Sequence, residues 1–145
     1  MPTKKGLLFV LCLFSGVFSV CAEDVRGIII SNPYMPAVPP VSRTAAVYLA
    51  IENTSNRMVT LTGVSTSIAK HSMIHQSVEV DGLMTMKHQS EIEIKPGQII
   101  EFKPGGRHIM LMGLNTSPML DKFKLNLLFK SKAKEIVEVI VIKRS

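Results

Sequence analysis

From residue 25 to residue 142 the apolar positions come in short runs, many alternating with polar ones at a period of two. That period belongs to half-buried strands, because successive strand side chains point to opposite faces. It predicts strands over 25–30, 45–52, 58–64, 72–80, 83–87, 92–94, 98–103, 109–114, 123–129 and 136–142. Turn chemistry separates them at Asn53-Thr54-Ser55-Asn56, Asp81-Gly82, Lys95-Pro96-Gly97 and Pro104-Gly105-Gly106. No stretch shows the periodicity of an amphipathic helix. Short strands at this spacing predict an all-β sandwich or barrel. Residues 31–41 hold Pro33, Pro36, Pro39 and Pro40. They are expected to form a loop, since proline lacks an amide donor and is excluded from central strands.

The Asp81-Gly82 pair is a hairpin signal, because a type I′ turn needs positive φ at both central positions. A two-residue turn there pairs Val80 with Leu83, Glu79 with Met84, Ser77 with Met86 and His75 with His88. His75 and Met86 then become diagonal neighbours on one face, within reach of long side chains.

The first residues stand apart. Lys4 and Lys5 precede an almost wholly apolar run over 6–20, followed by Val20-Cys21-Ala22 and then Glu23-Asp24. This order of parts is that of a secretory signal peptide. The run is shorter than the roughly 20 residues of a spanning helix, and Val20 is a poor residue to precede a lipidated Cys21. The reading is a signal peptide over 1–22 and one domain over 23–145, exported to the periplasm and soluble after cleavage. A monomer is expected.

Both cysteines, Cys12 and Cys21, lie in that leader. The mature domain therefore has no disulfide, no thiol nucleophile and no blue-copper thiolate. Any metal site must use His, Met, Asp or Glu, which suits an oxidising compartment. Removing Lys4 and Lys5 from 17 Lys and Arg leaves 15 bases against 11 acids, a net charge of +4. Lys122, Lys124, Lys130, Lys132, Lys134, Lys143 and Arg144 crowd the C-terminal part. In an exported protein they read as a solvated face rather than a nucleic-acid surface. No Ser/His/Asp or paired-carboxylate set stands out, and Asp81 and Asp121 sit in turn contexts. An enzyme is not expected.

All four histidines and five of the nine methionines lie between His71 and Met112. They form three trios at i, i+2, i+4: His71, Met73, His75; Met84, Met86, His88; His108, Met110, Met112. On strands, each trio becomes a stripe of soft donors on one face. A thioether is a neutral soft donor that prefers Cu(I), and imidazole holds the ion at neutral pH. The same residue types also have plain uses, methionine as core filler and histidine as a surface group. On spacing alone both readings stand, and Met112, inside an apolar run, also suits a core. Met35, Met58 and Met119 are expected to be core or loop residues.

The segment reads His-x10-Met-x21-His-x-Met from His75 to Met110. Around it run Gly82-Leu83-Met84-Thr85-Met86-Lys87 and Lys103-Pro104-Gly105-Gly106-Arg107-His108-Ile109-Met110-Leu111-Met112. With Thr44-Ala45-Ala46-Val47-Tyr48-Leu49 upstream, this resembles the PCuAC-type periplasmic copper chaperones across essentially the whole mature chain. The resemblance implies a cupredoxin-like Greek-key β-sandwich. It also implies Cu(I) held at an exposed site by His75, Met86, His108 and Met110. It further implies delivery to the binuclear copper site of a respiratory haem-copper oxidase, through the oxidase subunit or a Sco-type thioredoxin-fold partner. Two departures are visible. Gln76 stands where the family often has Glu, and after Lys143-Arg144 there is no His/Met-rich tail for a Cu(II) site. His71, Met73, Met84, His88 and Met112 fall outside the ligand pattern, with His71 and His88 best suited to adventitious Cu(II). Gly105 and Gly106 are expected to make the tight turn that delivers His108.

Two other functions fit the sequence: a secreted β-sandwich interaction module with no tight metal, and a periplasmic copper storage or resistance protein using the same ligands.

Overall fold

A computed structural model describes residues 27–115, 120–131 and 134–142. The expected leader, Met119, Lys132, Lys143 and Arg144 lie outside the described residues. Ten strands follow in order: β1 (Ile28–Pro36), β2 (Thr44–Asn53), β3 (Val59–Thr66), β4 (Ala69–Val80), β5 (Leu83–His88), β6 (Ile92–Ile94), β7 (Ile99–Phe102), β8 (Arg107–Leu114), β9 (Lys122–Phe129) and β10 (Lys134–Ile142). No helix occurs among the described residues. The strands pair in the order β5-β4-β8-β2-β1-β10-β9-β3-β6, with β7 on β2. This all-β architecture, with strands at the predicted spacing, is the expected one.

Alternation decides which side chains go inside. Along β2, Ala45, Val47, Leu49 and Ile51 are buried while Thr44, Ala46, Tyr48 and Ala50 face away. Phe123, Leu125, Leu127 and Phe129 do the same on β9, and Ile109 and Leu111 on β8. These inward residues join one core with Leu61, Ile74, Ile94 and Val139. Burying each such side chain contributes about 1.5–3 kcal/mol. Met35 belongs to this core and Met58 is exposed. Among the described C-terminal lysines, Lys122 pairs with Glu138 at 3.2 Å and Lys130 with Glu91 at 3.8 Å, all well exposed.

β2 joins the two halves of the sheet. Its first residues, Thr44 to Val47, pair with β8, and its later ones, Leu49 to Glu52, pair with β7. At its far end Asn53 is fully buried. Its Nδ2 donates to the carbonyls of Arg57 (2.7 Å) and Ile94 (2.9 Å). Its Oδ1 accepts from the Ser55 amide (3.0 Å) and hydroxyl (2.6 Å).

The expected loop over 31–41 is corrected. β1 continues through Pro36, pairing with β2 and, in parallel, with β10. The prolines are accommodated by a break in the ladder: the β1–β2 register shifts between Ser31 and Tyr34, and Asn32 adopts φ of 50°. Pro33 thus falls in a bulge, where no amide donor is required. Pro36 ends the strand.

Candidate metal centre

The Asp81-Gly82 turn has φ of 52° and 78°, the type I′ sign pattern. β4 and β5 pair in the expected register, His75 with His88, Ser77 with Met86 and Glu79 with Met84. On its other edge β4 pairs with β8, which sets His75 opposite His108 and Met73 opposite Met110. Ile74, Ile109 and Leu111 point into the core. By alternation, the outward face of β5, β4 and β8 carries His71, Met73, His75, Met84, Met86, His88, His108, Met110 and Met112, so each stripe shares this face.

A row of three imidazoles crosses it. The His75 ring stands edge-on to His88 and to His108, each at 5.9 Å between centroids. Met86, His108 and Met110 line one open groove with Ser77, Ala46, Tyr48 and Gly105. Of the four residues in the motif, His75 and His108 are therefore neighbours across two strands, and Met86 and Met110 meet His108 in the groove.

The four are unequally exposed. Met86 is 60% exposed, whereas His108 is only 6%. His108 follows the turn as expected, as the second residue of β8, but it is covered by its neighbours. The Lys103–Arg107 turn closes through Gly106 N–H donating to Lys103 O at 3.0 Å and Lys103 N–H to Arg107 O at 2.8 Å. Gly105 takes φ of 75°, a conformation that a side chain disfavours. The turn aims the Gly106 carbonyl at two donors: the Ser77 amide on β4 (3.1 Å) and His108 Nδ1 (3.1 Å). With Nδ1 donating, the lone pair of His108 rests on Nε2, the arrangement of a metal-binding imidazole oriented by a carbonyl.

His75 Nδ1 is buried without a hydrogen-bond partner among the described residues. Burial holds the His75 pKa below its ordinary value, and the neighbouring His108 and His88 push it further down. A group whose folded pKa is depressed stays neutral at mildly acid pH. Its contribution lowers folding stability as pH falls from the ordinary value towards the folded one, because the unfolded chain takes up the proton first. In an NMR titration of the apo-protein, the His75 ring is expected to titrate with a midpoint below 6.5. A midpoint at or above that value would contradict the burial seen here.

The expected pairing of His75 with His88 sets His88 as near to His75 as His108 is, on the exposed edge strand. One feature was not expected. Beneath the imidazole row, on the opposite side of the sheet, lies a polar clamp. Arg107 Nε donates to Gln89 Oε1 (2.7 Å) and Nη2 to Gln76 Oε1 (3.2 Å), and Gln89 Nε2 donates to Gln76 Oε1 (3.1 Å). Each clamp residue adjoins one imidazole of the row in sequence, so the clamp fixes the three backbones that carry them. Burial holds the Arg107 pKa below its ordinary value. The available signal was the repeated His-Gln dipeptide at 75–76 and 88–89, together with Arg107-His108.

Chemically, this face suits a soft cation. Among the described residues no three His, Cys, Asp or Glu side chains meet closely enough to hold a metal ion. A site here must recruit thioethers, which disfavours Zn(II), Mg(II) and Ca(II).

The model of a family described as putative lipoprotein LpqE-like matches residues 28–141. The chain belongs to the LpqE-like family. Similar curated proteins include a putative lipoprotein of Leifsonia xyli subsp. xyli (strain CTCB07), 32% identical over 93 residues, 63% of this chain and 55% of that one. Another is an uncharacterized protein of Rickettsia prowazekii (strain Madrid E), 31% identical over 102 residues, 67% of this chain and 55% of that one. The chain thus matches about half the length of these relatives. Among solved structures, the LpqE-like fold is similar to the copper-bound PCuAC domain from PmoF2 (TM-score 0.67, 19% identity, 83% of this chain and 97% of that one). It is also similar to the apo PCuAC domain from PmoF1 (0.68, 18%, 83% and 98%). The Cu(I) form of DR1885 from Deinococcus radiodurans is similar too (0.65, 24%, 83% and 80%). At these identities the likeness is one of fold: the cupredoxin-like sandwich inferred from the motif is the one this chain adopts.

Proposed function

We propose that this LpqE-like chain is an exported Cu(I) carrier, with His75, Met86, His108 and Met110 as ligands and the ion as cargo. One observation carries the reading: strands distant in sequence converge to set two imidazoles side by side, with two thioethers on the same outward face. The orphaned His75 Nδ1 and the carbonyl-oriented His108 ring add support. The solved domains of the same fold include a copper-bound and a Cu(I)-bound form. Export fits the lipoprotein descriptions of the family and of the Leifsonia relative. The cleaved leader over 1–22 and the periplasmic domain over 23–145 are part of this proposal, as is delivery to a respiratory oxidase subunit or a thioredoxin-fold partner.

The geometry favours release over storage. Met86 lies on an edge strand and is largely open to solvent, so an incoming thiolate reaches the ion before any ligand has left. Transfer is then associative, with the exposed thioether leaving first. The rate of Cu(I) transfer from loaded protein to a cysteine-containing acceptor is expected to rise with acceptor concentration. A rate independent of acceptor would refute this scheme. Deleting the gene is expected to lower oxidase activity at limiting copper; unchanged activity with lowered copper tolerance would favour a resistance role.

A further inference from the structure

The carrier site leaves five soft donors of this face unused, three of them, His71, Met73 and Met112, on β4 and β8. β4 and β8 run antiparallel in constant register, and their outward residues make three successive rungs: His75 with His108, Met73 with Met110, and His71 with Met112. The last rung has no role in the site above. A core role for it is ruled out by position: His71 and Met73 are exposed, Met73 by 38%, and Met112 is half-buried on the outward side. No hydrogen bond or ring contact engages the His71 imidazole among the described residues. On the β2 side the neighbours are small, with Thr44 opposite Met112 and Ala46 opposite Met110, so little stands over the sulfurs.

Cross-strand partners have Cβ atoms about 5 Å apart, and successive rungs on one face are about 7 Å apart. At those separations one imidazole and two thioethers from adjacent rungs can close on a single ion. We infer that His71, Met73 and Met112 form a second, three-coordinate Cu(I) position next to the carrier site. The Met73–Met110 rung lies between the two positions. An ion therefore passes from one to the other without losing all its sulfur ligands, since Met73 of the second position and Met110 of the carrier site stand opposite each other on that rung. That exchange rests on the carrier reading; the second position does not. No electron moves in either step, because the ion stays Cu(I) and only ligands are swapped.

The test is an anaerobic titration of the mature protein, carrying 13C-labelled methionine methyl groups, with Cu(I) alone, followed by NMR. The Met86 and Met110 methyls are expected to shift up to one equivalent. The Met112 and Met73 methyls and the His71 ring should then shift between one and two equivalents. His71→Ala with Met112→Leu, exposed or volume-conserving changes, should weaken the second equivalent about tenfold or more and spare the first. His108→Ala should do the reverse. The inference is overturned if Met112 and His71 do not move, if they move together with the first equivalent, or if the second phase persists in the double variant. A second phase that moves His88 and Met84 instead also overturns it. In the unaltered protein, a second phase without a first would sink the carrier site and leave this one standing.

Discussion

Replacing His108 with alanine is expected to lower Cu(I) affinity by at least about 100-fold while the fold survives. His108 is the most buried of the four motif residues, and its ring is held by the Gly106 carbonyl at 3.1 Å. Removing groups that merely orient a ligand weakens metal binding about 10–100-fold, so deleting a preoriented ligand should exceed that range. The fold is spared because β8 is anchored by Ile109 and Leu111 on the other face. Met86→Leu should have a smaller effect, since the exposed thioether is the more replaceable donor. Anaerobic competition against a Cu(I) chelator, with circular dichroism of the apo-variants, checks both. Unchanged affinity in a folded His108→Ala protein would end the carrier reading in favour of an interaction module.

The largest stability effect is expected far from the metal face. Asn53→Leu should destabilise the apo-protein by about 3 kcal/mol, because buried polar groups that lose their partners cost about 1–3 kcal/mol each. The carbonyl of Ile94 would lose the amide bond Asn53 gives it, as would that of Arg57, and the Ser55 amide and hydroxyl would lose an acceptor. Urea unfolding followed by fluorescence-independent circular dichroism measures the shift in midpoint. Copper affinity should stay unchanged, since Asn53 and the groove residue Ala46 are separated by roughly 20 Å of strand. A coupled loss of affinity would show that the two ends of β2 do not act independently.

These two sites differ in how far they were legible in the sequence. The donor face was readable because a period of two needs no long-range information, and the Asp81-Gly82 turn imposes its register locally. How His108 and Met110 reach that face was not readable: β4 and β8 pair across 32 intervening residues between His75 and His108. Nothing local specifies that neighbour. β1 was misread for the opposite reason, since the local proline signal was overridden by pairing on both sides and absorbed in a bulge. Asn53 passed as an ordinary turn residue, because its burial depends on the β6–β7 connection folding over it. The arginine–glutamine clamp left only the repeated His-Gln dipeptide and Arg107-His108 as a trace, because its bonds form only once β4 and β8 pair and bring Gln76, Gln89 and Arg107 together.

β5 contributes no buried residue: all six of its side chains are exposed. Substitutions along it therefore carry little folding penalty, yet it holds Met84, Met86 and His88. If β5 supplies a ligand as proposed above, grip on the ion can be retuned there by mutation almost independently of stability, so natural drift and deliberate engineering have one short, tolerant segment on which to adjust how tightly cargo is held.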